Sequence, residues 1–407
     1  MKAAPILALA ALLLAGCHGG SDRGAIAVSL IGDRLDEAAV TGADSEGLVR
    51  LDREGQVIPG AAARWAILDD GLDYIFRIDD GAGLNAQVVA RRLREALRRH
   101  RRNPNFAALG PVESIEAVTA TVVEMRLSVP QPDLLPLLAR PEFAVGAPTD
   151  FKPGKPRHAQ IVLDPRPGDD APAPILLRVE HVGRAVVRFQ KGDAELVTGG
   201  TFADLPVARA AQPDRKSLRF DPATGLFGFA IRNADLPATV RTALSLAIDR
   251  DRIAAAIGIP NHAKATTIAG STLEPPLAER RAAALALLKG ATAHIRVAMP
   301  RGPGARLLFA LAAQDWAKVG IRAEMVGPEA RNPDLAMVDQ VAPPGTLAIL
   351  ACALSAGCDP ADRLALINPP FIPMAAPVRW SLVAPGLDLF TENALAAHPL
   401  NQLRTHR

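Results

Sequence analysis

The chain has 407 residues, of which 49% are hydrophobic and 4% aromatic. Its charges nearly balance, with 46 Lys and Arg against 43 Asp and Glu and a formal net charge of +3. This length is enough for two or three domains of ~100 to 200 residues each. The balance gives no global signal for nucleic acid, so a small molecule or another protein is the expected partner.

The N-terminus has the pattern of a cleaved export signal. Lys2 precedes an apolar run from Ala3 to Ala15, and Leu14 to Cys17 reads LAGC, which is typical of a lipoprotein signal peptide. The run is too short to cross a hydrocarbon core of ~30 Å, so a cleaved segment is favoured over a membrane span.

We therefore expect residues 1–16 to be a signal peptide and residues 17–24 to be a tether that is lipidated at Cys17. The alternative is an ordinary secretory signal with an incidental cysteine. His18 does not indicate which bacterial membrane would hold the protein.

The first part of the chain has an α+β pattern. Alternation of apolar with polar or small residues predicts strands over Ala25–Ile31, Leu48–Asp52, Trp65–Leu68, Tyr74–Ile78 and Val122–Leu127. The tripeptide Asp69 to Gly71 predicts a hairpin between two of them, because the central residues of such a turn need positive φ.

A basic helix is predicted from Asn85 to about Arg101. The segment Arg91–Arg102 carries seven arginines, and apolar residues recur within the helix at helical spacing, at Val88, Val89, Leu93, Ala96 and Leu97. This pattern favours an amphipathic helix with a solvated basic face. An anion-binding patch is the alternative.

The middle of the chain begins with a predicted connection, residues 148–174, which are rich in Pro, Gly and Asp. Further strands are predicted over Ile175–Val182, Ala185–Phe189 and Leu226–Ile231. Asp249 is a predicted helix N-cap, and Gly258 is the predicted end of that helix.

A βαβ unit follows, with a strand His294–Met299, a helix Ala305–Val319 and a strand Ile321–Val326. Its strands should be parallel and its crossover right-handed. Additional strands are predicted over Leu335–Val338, Thr346–Leu354 and Trp380–Ala384.

Motifs that carry catalytic or metal chemistry are missing from the sequence. It has no H-E-x-x-H, C-x-x-C, Walker A or G-x-S-x-G pattern. In an exported protein Cys352 and Cys358 could form a disulfide, although spacing alone leaves free thiols open. Without nearby histidines the pair is a poor zinc site. We expect no catalysis, no cofactor and no bound metal.

Four stretches in a fixed order resemble the extracellular solute-binding proteins, family 5, of ABC importers for peptides and nickel. They are Gly47 to Asp52 (GLVRLD), Trp65 to Arg77 (WAILDDGLDYIFR), Arg241 to Arg250 (RTALSLAIDR) and Ala317 to Arg322 (AKVGIR). The chain is shorter than is usual for the family and departs from its pattern, chiefly between Pro328 and Pro370.

The resemblance implies an α/β fold of the periplasmic-binding-protein class, type II, with two lobes, mixed sheets and an interlobe cleft. The expected domains are a lobe 1 core (25–45, 158–232 and 375–407), a lobe 1 accessory α+β domain (46–157) and a lobe 2 α/β domain (233–374). Binding of a solute in the cleft would stabilise a closed form of the two lobes.

The resemblance also suggests ligand-binding residues. Ser45 and Glu46 precede the first matching strand, and Asp359 and Asp362 are the remnant of a segment that grips a peptide amine in the family. Arg379 and Trp380, in the returning segment, could hold a carboxylate and cover an apolar group. The alternative for each of these residues is a surface or packing role.

The function that follows is capture of a peptide-like or other small polar solute by a lipid-anchored monomer on the periplasmic face of a bacterial membrane. Its partners would be an ABC permease and its ATPase complex. One alternative is a lipoprotein of the same fold that acts as a sensor or scaffold. Another is a hydrolase on a borrowed binding fold, which the missing motifs disfavour.

Overall fold

The structure is a computed structural model. It describes residues 24–35, 47–52, 55–79, 83–146, 151–167, 171–214, 216–259, 267–268, 273–362 and 364–405. Within these residues, no helix combines the length and the apolar character needed to span a bilayer.

The first lobe is built on a seven-stranded mixed sheet with the strand order β12-β18-β11-β1-β10-β9-β8. Strand β1 runs parallel to both of its neighbours, β10 and β11, whereas the other pairings are antiparallel. The strands are β1 (Ile26–Ile31), β8 (Phe151–Pro153), β9 (Gln160–Pro165), β10 (Ile175–Glu180), β11 (Leu196–Thr201), β12 (Leu218–Phe220) and β18 (Arg379–Val383).

An accessory unit is inserted between β1 and β8. Its antiparallel sheet, β4-β5-β7-β6, is covered by helix α1, and a small hairpin, β2-β3, precedes it. The bounds are β2 (Val49–Leu51), β3 (Val57–Pro59), β4 (Ala62–Leu68), β5 (Asp73–Ile78), α1 (Ala86–His100), β6 (Val112–Ala117), β7 (Val122–Leu127) and α2 (Leu134–Leu138).

Local sequence explains this unit well. Asn85 caps α1, since its side chain accepts a hydrogen bond from the Val88 N–H at 2.8 Å. Asp69 and Asp70 adopt φ of 48° and 53° in the turn between β4 and β5. The predicted hairpin and basic helix are therefore confirmed, and alternate residues of β5 pack beneath the helix.

The second lobe contains a five-stranded sheet with the order β15-β14-β16-β13-β17. Its elements are β13 (Gly225–Ile231), α5 (Ala238–Ala247), α6 (Arg250–Ile257), α7 (Leu277–Leu288), β14 (Ala293–Ala298), α8 (Pro303–Ala317), β15 (Ile321–Val326), β16 (Leu335–Val341), α9 (Leu347–Ala353) and β17 (Phe371–Ala375). Strands β14 and β15 are parallel, which confirms the predicted βαβ unit. Asp249 caps α6 and Gly258 ends it with a φ of 81°, also as predicted.

Two predicted strands are helices. Ala185–Phe189 lies within α3 (Val182–Gln190), and Thr346–Leu354 corresponds mainly to α9. Short apolar runs do not distinguish a buried strand from a buried helix by periodicity alone. Helix α3 connects β10 to β11, and α4 (Leu205–Ala210) follows β11.

The chain passes between the two large sheets twice, at residues 221–224 and 376–378. At the first passage Gly225 has a φ of 149°, and a Cβ there would lie 2.1 Å from the Gln340 carbonyl oxygen. The predicted domain division had placed β13 in lobe 1, whereas its partners β16 and β17 lie in the five-stranded sheet. The second sheet therefore begins at Gly225.

A continuous apolar core crosses between the lobes. It contains Val197 and Phe202 from the first lobe together with Phe229 and Trp316 from the second. The C-terminal segment, which includes β19 (Leu387–Asp388) and β20 (Arg404–Thr405), packs on the first lobe in a separate cluster. The two lobes are thus in direct apolar contact.

Candidate functional site: the interlobe seam

The carboxyl ends of three parallel strands, β10, β1 and β11, meet at one edge of the first sheet. In α/β sheets this edge is where ligands bind, because the connections that leave neighbouring strands diverge there. The polar residues that follow these strands are Asp33, His181 and Asp204, while Thr201 ends β11. We call this edge, with the second-lobe residues that contact it, the interlobe seam.

An ion pair links the two sheets at the seam. Arg379, the first residue of β18, donates from Nη1 to Asp339 Oδ1 of β16 at 2.7 Å and from Nη2 to the Asp339 carbonyl oxygen at 2.9 Å. The two side chains are only 18% and 11% exposed. A charge-assisted contact with two donors and little solvent sets the relative position of the two strands.

A second carboxyl group lies near this pair. Burial raises the pKa of Asp339, the guanidinium of Arg379 lowers it, and the negative charge of Asp204 raises it further. Burial likewise raises the pKa of Asp204, whose Oδ2 accepts a hydrogen bond from Thr201 Oγ1 at 3.1 Å. Asp339 therefore has one cationic partner and a second carboxyl group close enough to oppose its ionisation, an arrangement that favours an additional cationic or hydrogen-donating group.

The solvent side of the seam carries His181 and Asp33. Their Nδ1 and Oδ1 atoms are 3.9 Å apart, and the side chains are 79% and 92% exposed. Asp33 raises the pKa of Asp204, and His181 lowers it. The charges of Asp33 and His181 therefore affect the ionisation of Asp204.

Trp380, a predicted ligand-binding residue, is packed in the core. It is 1% exposed, and its Nε1 donates to the Thr201 carbonyl oxygen at 2.9 Å. Its ring lies against Gly200, where a Cβ would be 2.2 Å from Trp380 Cε2. The tryptophan supports the strand that ends at the seam.

Asp359 and Asp362 lie elsewhere, in an exposed segment after α9. Each carboxylate accepts a hydrogen bond from the backbone N–H two residues later, at 2.9 Å. The Ala356 N–H of this segment donates to the Ile231 carbonyl oxygen, at the end of β13 opposite the seam. Asp339 lies opposite Phe227, and the four steps from Phe227 to Ile231 span about 13 Å, so no contact joins these acids to Arg379 within the described residues. Their role in ligand binding stays a prediction.

Ser45, Glu46 and Cys17 lie outside the described residues. The residue that follows Glu46 is anchored in the accessory unit, because the Gly47 carbonyl oxygen accepts from the Ala61 N–H at 3.0 Å. Cys352 and Cys358 form a disulfide with a Cα–Cα distance of 5.2 Å, which joins the last turn of α9 to the segment after it.

Two direct contacts beside the seam hold the lobes together. The Gly304 N–H, in the first turn of α8, donates to the Ala203 carbonyl oxygen at 2.9 Å. Arg209 of α4 donates to the Gly258 carbonyl oxygen at 2.6 Å. Both join a connection at the carboxyl edge of the first sheet to a helix of the second lobe.

The second lobe also touches the accessory unit. The Gly345 N–H donates to the Asp133 carboxylate, and Ile349 of α9 packs against the accessory core. A cavity of about 20 Å³ lies apart from the seam, beneath the C-terminal segment, and is lined by Leu389, Phe390, Thr391, Ala397, His398, Pro399 and Leu403. The described residues contain no cluster of three or more His, Cys, Asp or Glu side chains arranged for a metal ion.

Sequence reasoning did not select Asp204 or Asp339. Asp339 lies inside β16, whose predicted strand ended at Val338. A carboxylate directly after the apolar run Leu335–Val338 was a usable signal, because a buried charge requires a partner. Asp204 follows an apolar strand that itself was not predicted.

No family model matches the chain, and no curated protein matches it. Solved structures do. The murein tripeptide binding protein MppA of Escherichia coli matches with a TM-score of 0.72 and 15% identity over 94% of this chain and 99% of that one. OppA of Haemophilus influenzae, in complex with the peptide RPPGFSPFR, matches with a TM-score of 0.72 and 15% identity over 93% of this chain and 99% of that one.

NikA of Brucella suis, in complex with Fe(III)-EDTA, matches with a TM-score of 0.70 and 17% identity over 93% of this chain and 100% of that one. This chain has the fold of these binding proteins. The unliganded open form of MppA matches with a lower TM-score of 0.63, at 16% identity over 94% and 97%. The predicted two-lobed fold of the peptide-binding class is therefore confirmed.

Proposed function

We propose that this chain is the solute-binding component of an ABC importer and captures a peptide-like or other small polar solute at the interlobe seam. The observation that carries the proposal is the buried ion pair of Arg379 with Asp339, which joins the two lobes at the carboxyl edge of parallel strands, the edge at which Asp204 follows β11. A solute that carries an ammonium group would supply the positive charge that these carboxyl groups favour.

The structural neighbours support this class of function. MppA and OppA are described with peptides and NikA with a metal chelate, and all three have this fold. We infer a periplasmic location and delivery to a permease and its ATPase. We also infer that Cys17 carries the lipid anchor and that the chain acts as a monomer without catalysis.

The mechanism would be lobe closure. The contacts of Gly304 with Ala203 and of Arg379 with Asp339 join groups from opposite lobes, so opening the lobes would break both. The lower TM-score to open MppA agrees with lobes that pack together here. A ligand that contacts both lobes stabilises this arrangement by the difference in its affinity for the two states.

A thermal-shift screen of the processed chain against peptides, amino acids, nickel chelates and sugars tests the proposal. A bound solute at ~100 times its Kd stabilises the protein by about 2.7 kcal/mol, which raises the Tm measurably. Asp204→Asn should abolish the shift for an ammonium-bearing solute. Asp193→Asn, at an exposed acid of the same lobe, should retain it.

A solute that binds the Asp204→Asn and unmodified proteins equally would place the site elsewhere. The alternative, a sensor or scaffold lipoprotein, is favoured by the direct packing of the second lobe on the accessory unit at Asp133 and Gly345. No shift with any compound class, and no permease or ATPase genes beside this gene, would support that alternative.

A further inference from the structure

The strongest local charge in the molecule lies on α1 and the residues just after it. The segment Arg91–Arg102 contains seven arginines and one acid, Glu95, while the whole chain has a net charge of only +3. The positive charge of this segment therefore exceeds that of the entire chain, and the remainder is net acidic. A molecule with this charge separation orients in an electric field.

Three of these arginines have partners within the protein. Arg92 donates to the Val145 carbonyl oxygen and Arg94 to that of Ile115. Arg91 Nε lies 4.0 Å from Glu95 Oε1.

The other four are Arg98, Arg99, Arg101 and Arg102, and we call them the arginine patch. All four are exposed, and within the described residues none has an ion-pair or hydrogen-bond partner for its side chain.

Neighbouring elements do not neutralise the patch. Helix α1 packs on β6, β7 and the segment Pro141–Phe143. In that environment Glu124 pairs with Arg126, and Glu142 pairs with Arg140. Glu113 and Glu116 of β6 are exposed and form no ion pair with the patch within the described residues. Like charges three or four residues apart destabilise a helix, and the helix dipole offsets this only within the last turn.

The helix itself cannot leave the fold to enter a membrane. Its opposite face, with Val89, Leu93 and Ala96, is buried in the accessory core. The arginine patch is therefore a rigid, peripheral surface whose complement is an array of anions outside the protein.

We propose that the arginine patch docks the accessory unit on the anionic phospholipid headgroups of the membrane to which the chain is anchored. The inference goes beyond solute binding and rests on the proposed function only for its membrane location. Guanidinium groups bind phosphates with paired hydrogen bonds, which suits headgroups. An acyl anchor and a basic patch act together in membrane attachment.

The tether makes this contact sterically accessible. At no more than about 3.5 Å per step, the seven steps from Cys17 to Gly24 keep Gly24 within roughly 25 Å of the lipid. The anchor thus confines the chain to the bilayer surface, and each arginine that comes within about 10 Å of anionic headgroups contributes about fivefold to the partition constant.

Vesicle co-sedimentation of the processed chain tests the proposal, with Cys17→Ser to remove the acyl contribution. The unmodified patch should bind vesicles that contain phosphatidylglycerol, and added salt should weaken the binding. Vesicles of phosphatidylcholine alone should not bind. Replacement of all four patch arginines by Gln should lower the partition constant by about 600-fold.

A matched variant controls for total charge. It changes four scattered, exposed basic residues to Gln: Lys152, Arg184, Lys191 and Arg322. This variant should keep vesicle binding within a few-fold of the parent, and both variants should keep the Tm and the solute response of the parent.

If the patch variant and the matched control variant lost vesicle binding equally, the proposal would be overturned, because net charge would then explain the binding. So would equal binding to neutral vesicles, or binding of single-stranded RNA without any vesicle binding. Since vesicle binding is measured without solute, its failure is distinguishable from failure of solute binding.

Discussion

Two buried carboxylates are neutralised in different ways in this molecule. Asp315 of α8 is 0% exposed and lies wholly within the second lobe. Its Oδ1 accepts from Arg281 at 2.5 Å, Arg252 at 3.0 Å and Lys318 at 3.2 Å, and its Oδ2 accepts from the Asp249 N–H at 3.0 Å. Cations and a backbone donor from one lobe thus surround it.

Asp339 at the seam has one cationic partner, Arg379, and that partner belongs to the other lobe. A second carboxyl group, Asp204, opposes its ionisation. The comparison indicates that Asp315, inside a lobe, is surrounded by several cations, whereas Asp339, between the lobes, has one cationic partner and a second carboxyl group that opposes its ionisation. A site that has to accept a ligand and change its lobe contacts needs the second condition.

The largest expected effect comes from breaking the network around Asp315. Asp315→Asn leaves three cations around a neutral amide, and loss of one member of a buried ion pair costs about 3 kcal/mol or more. We expect urea denaturation to show this loss in the free energy of unfolding. Asp235→Asn, at an exposed acid of the same lobe, should change it by less than about 0.5 kcal/mol.

Equal stability of the Asp315→Asn and Asp235→Asn proteins would remove the contrast between the two carboxylates. The buried network would then contribute as little net free energy as an ion pair on the surface.

An intermediate effect is expected from Gly304→Ala, which acts on the seam. A Cβ at this position would lie 2.0 Å from the Phe202 carbonyl oxygen, so the contact between α8 and the first lobe has to separate. Overpacking of this kind costs about 1 to 3 kcal/mol. If the lobes move as units, small-angle scattering should show a larger radius of gyration, and solute affinity should fall.

Gly183→Ala is the control, since a Cβ on this residue of α3 meets nothing within 4 Å. It should leave the scattering profile unchanged and stabilise the helix by up to about 1 kcal/mol. A destabilised Gly304→Ala protein with an unchanged radius would mean that the lobes form one rigid body.

The smallest effect should appear in the pH dependence of stability. Because the folded-state pKa values of Asp339 and Asp204 are raised, the contribution of these groups to the free energy of unfolding is fully present at low pH. It is lost as the pH rises from about 4 through the raised values, since the folded protein then has to ionise buried groups. In the Asp339→Asn, Asp204→Asn double variant, the free energy of unfolding should vary less with pH over this range.

Urea denaturation at a series of pH values measures this difference directly. A steeper pH dependence in the double variant than in the parent would show that the two groups ionise easily at the seam. The Asp315→Asn protein supplies a reference, because its substitution leaves the seam unchanged.

Local signals predicted a large part of the fold correctly. The turn at Asp69 to Gly71 and the cap at Asp249 depend on the conformational preferences of a few neighbouring residues, and both are present. The stretch Arg241 to Arg250, which contains this cap, also has a packing role, because Arg250 Nε donates to the Pro373 carbonyl oxygen of β17 at 2.8 Å. This family motif therefore indicated the fold correctly, but it contributes no residue to the interlobe seam.

Errors arose at two short segments that are rich in apolar residues and have no clear periodicity. Residues 185–189 and 346–354 are apolar runs that suit either a strand or a helix until their neighbours are known. Asp359, chosen as the remnant of a family segment, has a carboxylate that closes a local turn, and its role in ligand binding stays a prediction.

The sequence by itself determined the hairpin and basic helix of the accessory unit and the βαβ unit, because periodicity, capping and turn chemistry act over short distances along the chain, and the family resemblance of four stretches implied the class of fold. Tertiary structure alone decided the seam. Asp204, Asp339 and Arg379 are far apart in sequence, and their chemistry comes from shared burial and mutual distance, which no local pattern records.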